Sequence, residues 1–193
     1  MKIHWCAGQT YLDGFVNIDI AGKLTSECTA EEVELNRTTL DKYFKFPFDP
    51  NPVTRQANKR PFIIDRIENI LEKWNFEDNS VDEIVMISCF EHFHRTLEIP
   101  HIASEAYRVL KPGGIWKFDF PDIKAVVDEF YYKDPEYAAE LIYCNQKDPY
   151  SIHKWMYTPS SIINHIGRGW NIVFCPNEIV KHDYPMTGCV AIK

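Results

Sequence analysis

A chain of 193 residues, 45% hydrophobic and 25% charged, has room for a substantial core and the composition of an ordinary globular domain. A formal net charge of −7 argues against a nucleic-acid partner, which needs a broad basic face. No apolar run reaches membrane-spanning length and no signal peptide is visible, so Cys6, Cys28, Cys89, Cys144, Cys175 and Cys189, with no CxxC spacing among them, read as reduced thiols of a cytoplasmic protein.

In chain order, residues 2–7 form a short strand broken at Gly8, and residues 15–20 form the next, after the turn Asp13-Gly14. A parallel crossover usually takes a dozen or more residues. The link is therefore either a crossover shrunk to about one helical turn or an antiparallel hairpin. Residues 21–60 are the least regular part and read as an irregular insertion. Within them Thr29, with Glu32 three residues on, makes a capping box that opens a short helix toward Asn36. The run from Phe46 through Pro47, Pro50 and Pro52 suits neither a helix interior nor a central strand. Arg55, Lys59 and Arg60 then form a basic cluster, read as a solvated loop or as a contact for a phosphate-bearing acceptor. Residues 62–65 look like a buried strand ending in Asp65, and residues 66–74 have helical periodicity in Ile67, Ile70, Leu71 and Trp74.

Residues 76–122 organise the rest. The apolar run 84–87 follows the turn Asp78-Asn79-Ser80 and reads as a strand buried on both faces. From Glu98 to Leu110, Ile99, Ile102, Ala103, Ala106, Val109 and Leu110 line one helical face, stopped by Lys111-Pro112-Gly113-Gly114. A strand over 115–120 completes a right-handed βαβ unit. Ligands bind at the carboxyl ends of such strands, which here carry Ser88-Cys89-Phe90-Glu91-His92 and Asp119-Phe120-Pro121-Asp122. Beyond Asp122 the pattern gives two helices divided at Asp134-Pro135, and a polar, aromatic loop containing His153-Lys154-Trp155. A helix capped by Ser160 or Ser161 and closed by Gly167 follows, then two strands over 170–174 and 189–192.

Three local sequences carry a family likeness. They are Ile3-His4-Trp5-Cys6-Ala7-Gly8 with Asn17-Ile18-Asp19, the run from Asp78 to Ile84 leading into Phe90-Glu91-His92, and Tyr107-Arg108-Val109-Leu110-Lys111-Pro112-Gly113-Gly114 with Phe120-Pro121-Asp122. The chain resembles the class I S-adenosylmethionine-dependent methyltransferases, in particular a small subgroup with a short first crossover and His-Lys-Trp before the last helix. The resemblance implies a single α/β domain over residues 1–193. Its sheet would be Rossmann-like, mostly parallel and seven-stranded, flanked by helices and with an antiparallel last strand. It also implies methyl transfer from S-adenosyl-L-methionine to a small-molecule or carbohydrate-like acceptor.

Within that resemblance Ala7-Gly8-Gln9 stand for the family's longer glycine loop, Gly8 allowing close backbone approach. Asp19 stands where the ribose diol is held, Asp65 where the adenine amine is met, and Ser88 and Cys89 at the strand end that borders the cofactor. Both aspartates could instead cap turns. His92 and His153 are candidate bases for the acceptor's proton, and Glu91 reads as a structural anchor. His92 and His94 would share a strand face, but the spacing shows no third ligand, so no metal is expected. Two other readings remain: a nicotinamide-dependent Rossmann enzyme, disfavoured by the absent GxGxxG, and a non-catalytic binding protein on the same fold. Neither acceptor nor oligomeric state is legible.

Overall fold

The computed structural model describes residues 1–43, 62–144, 146, 149–176, 179–180, 182 and 184–193. In chain order the elements are β1 (Lys2–Trp5), β2 (Tyr11–Leu12), β3 (Val16–Asp19), β4 (Lys23–Leu24), α1 (Ala30–Asn36), β5 (Arg37–Thr38), β6 (Ile63–Ile64), β7 (Arg66–Ile67) and β8 (Val81–Met86). Then come α2 (Glu98–Val109), β9 (Leu110–Pro121), α3 (Ile123–Phe130), α4 (Pro135–Tyr143), α5 (Pro159–Ile166), β10 (Asn171–Pro176) and β11 (Met186–Ile192). Seven strands form one sheet in the order β10-β11-β9-β8-β1-β3-β7. The pairs β9–β8, β8–β1, β1–β3 and β3–β7 are parallel, and β11 runs antiparallel to both its neighbours. This is the mostly parallel, Rossmann-like sheet with an antiparallel last strand that the resemblance implies.

Period-two alternation builds a core on each face of the sheet. Ile3, Trp5, Ile84 and Met86 join the larger cluster, whereas Val85 and Ile87 join a smaller one with Leu12, Tyr43 and Val180. The helix α2 buries Ile99, Ile102, Ala103, Ala106 and Val109 in the larger core, its predicted apolar face. Trp116, Phe118 and Phe120 alternate along β9 on that same side, and Phe90 stacks on Phe118 with ring centroids 4.2 Å apart. Phe90 thus pins the short turn Phe90–His92 onto the sheet immediately beyond β8.

Strands β1 and β3 pair in parallel, which excludes the antiparallel hairpin, and the crossover between them lacks even the single helical turn of the other alternative. Asn17 does the organising. Its Oδ1 accepts the Leu12 N–H at 2.8 Å, and its Nδ2 donates to the carbonyls of Leu12 and Phe15, both at 3.1 Å. The same Oδ1 accepts from His4 Nδ1 at 2.8 Å, and His4 Nε2 accepts from the Tyr43 hydroxyl at 2.7 Å. One amide side chain therefore satisfies the polar groups of a loop too short for a helix.

Three sequence expectations are corrected. Residues 66–74 are not helical: Arg66 and Ile67 extend the sheet beside Ile18 and Asp19, and the Asn69 side chain accepts the Leu71 N–H, turning the chain away. Trp74 is held from outside by Glu105, which accepts its N–H at 2.8 Å, and by Arg108, which donates to its carbonyl at 2.9 Å. Second, the stretch from residue 21 is ordered as far as it is described: β4 pairs with β6, β5 pairs with β2, and α1 has the expected capping box on Thr29. The proline-rich run from Phe46 and the cluster Arg55, Lys59 and Arg60 lie outside the described residues. Third, the cap of α5 is Thr158 rather than either serine, and Ser161 returns the bond to the Thr158 N–H at 2.9 Å. Gly167 closes that helix, as expected, at a positive φ of 86°.

Both chain ends are tied to the sheet. The Met1 ammonium pairs with Asp82 at the start of β8, and Lys193 donates from Nζ to the Leu110 carbonyl at 2.7 Å.

Burial pulls the His4 imidazole down to about 4 from 6.5, so it folds in neutral. Its folded value is depressed, so this contribution is complete above about pH 6.5 and is lost as pH falls toward 4. It amounts to about 3 kcal/mol. Urea unfolding of wild type and His4→Gln across pH 7.5 to 4 should show a steeper acid loss in wild type; parallel curves would show that His4 does not titrate on unfolding.

Candidate functional site

Parallel strands put the carboxyl ends of β1, β3, β8 and β9 on one edge of the sheet. Two tight turns stand there, each with a non-glycine residue in the left-handed region: Cys6 at φ 57° after β1 and Ser88 at φ 48° after β8. Such outliers cost of order 1–3 kcal/mol and concentrate at functional sites. Cys6 and Cys89 are joined in a disulfide that ties the two turns together. This corrects the reading of all six cysteines as free thiols, and it removes the Cys89 thiol from the expected cofactor contacts. Only its main chain is left to face the cleft.

Gly8 is left-handed at φ 53°, and no atom lies within 4 Å of where a Cβ would stand. Its N–H donates to Asp19 Oδ2 at 2.8 Å, while Asp19 Oδ1 accepts the Ile20 N–H at 2.7 Å. Burial raises the Asp19 pKa above the ordinary carboxylate range. Ala7 is buried and frames the turn, donating to the Ile18 carbonyl and accepting from Thr10; Gln9 is exposed beside it. The Ser88 N–H donates to Asp119 Oδ1 at 2.6 Å, and the other Asp119 oxygen accepts from His182 Nε2 at 2.7 Å. No local pattern announces this buried Asp119–His182 pair, because His182 lies 63 residues away in an irregular connection.

Asp65 is not at the cleft edge with Asp19. Its Oδ1 accepts from the hydroxyls of Tyr11 (3.0 Å) and Thr25 (3.2 Å), and its Oδ2 accepts the Asn17 N–H at 2.8 Å and Nδ2 at 3.3 Å. It follows β6, which belongs to a small separate sheet; the strand next to β3 is β7, and the carboxylate after β7 is Glu68. Glu68 borders a cavity of about 400 Å³ together with Ile20, Ile67 and Asn69. Reading residues 66–74 as a helix concealed it.

On the other side of the β8 end, Glu91, His92 and His153 come together. Glu91 is 1% exposed, and its Oε2 has no hydrogen-bond partner among the described residues. His153 Nε2 stands 3.9 Å from Glu91 Oε1, and the rings of His92 and His153 meet edge to face with centroids 4.9 Å apart. Main-chain bonds dock the loop: the N–H groups of Lys154 and Trp155 donate to the Glu91 carbonyl at 2.7 and 3.2 Å. Burial pushes the Glu91 carboxyl up to about 8, with Asp119 adding to it. Burial also pulls His153 down to about 4, and His92 acts in the same direction. Trp155 is 40% exposed under the Arg95 guanidinium, 3.7 Å from its ring, so it is not a core residue. His94 takes no part in the cluster; it accepts from Thr96. A second cavity, about 700 Å³, runs along α4 and is lined by Asp134, Glu136, Glu140, Tyr137 and Tyr143 among others.

A mostly parallel sheet with an antiparallel last strand, a left-handed glycine after β1 and a carboxylate at the end of β3 make a site of the Rossmann-like, nucleotide-cofactor kind. The family model described as a methyltransferase domain matches residues 17–118, and the chain belongs to that family. It is a methyltransferase with S-adenosyl-L-methionine as its cofactor. A search of curated proteins finds no match. Among solved structures, a S-adenosylmethionine-dependent methyltransferase from Methanosarcina mazei is similar at 17% identity and TM-score 0.52, covering 99% of this chain and 90% of that one. One from Mesorhizobium loti matches at 11% identity and TM-score 0.52, covering 100% and 90%. A possible histamine N-methyltransferase from Thermotoga maritima matches at 12% and 0.50, covering 100% and 81%. At these identities the likeness is one of fold.

The two aspartates should separate under mutation. Asp19→Ala should weaken S-adenosylhomocysteine binding by about 1–3 kcal/mol in calorimetry with little change in melting temperature. Asp65→Ala should lower stability by at least about 1–3 kcal/mol, since it strands buried donors. The reverse pattern would exchange their roles.

Proposed function

We propose that the enzyme transfers the methyl group to an oxygen or nitrogen of a small, carbohydrate-like acceptor held between the Glu91–His92–His153 cluster and α4. The cluster carries this reading: it stands directly beyond β8, two residues from the turn that borders the cofactor side. The residues present fit the cofactor. Gly8 leaves open space where a side chain would stand, and Asp19 places a carboxylate beside it for the ribose diol. Ala7 and Gln9 frame that turn, the main chain of Ser88 and Cys89 borders it, and Glu68, paired with Arg66, takes the adenine-side place expected of Asp65.

S-adenosylmethionine supplies an electrophilic methyl group; the chain supplies orientation and dryness, which carry most of the acceleration in a displacement of this kind. As the new bond forms, the acceptor atom becomes positively charged and its proton strongly acidic. A neutral imidazole of low basicity, as at His153, suffices to take it. The carboxylates and tyrosines along α4 suit an acceptor with several hydroxyl groups, which carboxylates hold by hydrogen bonds and aromatic rings hold by their faces. Leu141 and Tyr143 join that cavity to His153: the Leu141 carbonyl accepts from Nδ1 at 2.9 Å and the Tyr143 carbonyl from the His153 N–H at 3.4 Å.

A panel of sugars, amines and phenols incubated with methyl-labelled cofactor tests the acceptor class. With a responsive acceptor, His153→Ala should lower turnover by about 10²–10⁴-fold, the usual contribution of a positioned base, with S-adenosylhomocysteine affinity near wild type. Unchanged turnover would remove His153 from the chemistry.

A further inference from the structure

We infer, independently of methyl transfer, that Glu91, His92 and His153 form a binding site for one divalent transition-metal ion of the Zn²⁺ or Co²⁺ kind. The spacing of His92 and His94 suggested no such site, because the partner of His92 lies 61 positions further along the chain, in the loop that docks on Glu91.

Four observations converge. One ligand atom from each of the three residues lies within 4.8 Å of the others. Each imidazole donates Nδ1–H to a main-chain carbonyl, His92 to Ile152 at 3.1 Å and His153 to Leu141 at 2.9 Å. A carbonyl can only accept, so both rings are fixed in the tautomer whose lone pair is on Nε2. That is the usual outer-shell arrangement of a metal-bound histidine. Third, Glu91 Oε2 is a buried acceptor with no partner among the described residues, and an unmatched buried acceptor calls for a proton or a cation. Fourth, the geometry needs little adjustment. Bonds of about 2.0–2.1 Å in a tetrahedral array separate ligand atoms by roughly 3.4 Å, against 3.9 Å between His153 Nε2 and Glu91 Oε1.

The donor set selects the ion. Two imidazoles and one carboxylate suit Zn²⁺, Co²⁺ and their neighbours, whereas Mg²⁺ and Ca²⁺ prefer all-oxygen shells. Three protein ligands leave a coordination position open, as in catalytic rather than structural zinc sites. The ion would also fasten the loop carrying His153 to the turn carrying Glu91 and His92. With the ion bound, the Nε2 lone pair of His153 is committed to it, so the base role proposed above belongs to the metal-free protein.

The full-length protein, dialysed against a chelator, is titrated with CoCl₂ and the visible d–d absorption followed; ZnCl₂ is then added to displace the cobalt. One equivalent of Co²⁺ is expected, with nitrogen–oxygen d–d bands and no thiolate charge-transfer band, displaced by one equivalent of Zn²⁺. Glu91→Gln and His153→Ala should each weaken binding at least about 100-fold, beyond the usual cost of losing an outer-shell partner. Melting curves of the metal-free variants establish that they are folded. Absence of cobalt bands, a thiolate band, or undiminished binding in both folded variants would overturn the site, because Glu91 would then be matched by a proton alone. Mg²⁺ binding as tight as Zn²⁺ in calorimetry would overturn the assigned ion class. None of these readouts requires an acceptor or a turnover, so failure here leaves the methyl-transfer reading intact, and the reverse also holds.

Discussion

The structure depends on the shortness of the connection between β1 and β3. A parallel pair normally needs a helix to cross over, and a helix would also cover that face of the sheet. Here the chain supplies Asn17 instead, on the strand itself, with its amide turned back into the link. His4, Tyr43 and Asp65 complete the set, so the polar groups of the loop are matched inside the protein rather than by water. The consequence runs directly to the cleft. With its base held this way, the turn at Gly8 is positioned against Asp19 at the carboxyl edge of the sheet.

The same economy sets the surroundings of Asp65. A carboxylate accepting from two hydroxyls and both nitrogens of Asn17 holds the small β4–β6 pair against the main sheet. The adjoining β7 is followed by Glu68, which pairs with Arg66 and borders a cavity of about 400 Å³. Two acidic residues three positions apart stand in different surroundings because one precedes the edge strand and the other follows it.

Much of the architecture was legible because it is periodic. The strand at β8, the face of α2, the Pro-Gly-Gly stop and the Asp134-Pro135 break all follow from local chemistry, and the structure places them accordingly. The failures share one cause: a long-range partner outweighed a local pattern. Residues 66–74 have the spacing of a helix, but Glu105 and Arg108, some 30 residues on, clamp Trp74 through its main chain. The Cys6–Cys89 bond, the Asp119–His182 pair and the meeting of His92 with His153 span 83, 63 and 61 positions, and no spacing rule reaches so far. The site was legible as a set of strand ends; which side chains meet there was not.

The anchoring of the two termini has a practical corollary. Met1 is tied at the start of β8, and Lys193 is bound to the turn before the regular part of β9. Both belong to the amino-terminal margin of the parallel strands, a strand length of roughly 20 Å from the cleft. A fluorescent label, a surface tether or a fused domain attached to either end would therefore emerge from the back of the sheet, with the approach to Asp19 and His153 left open.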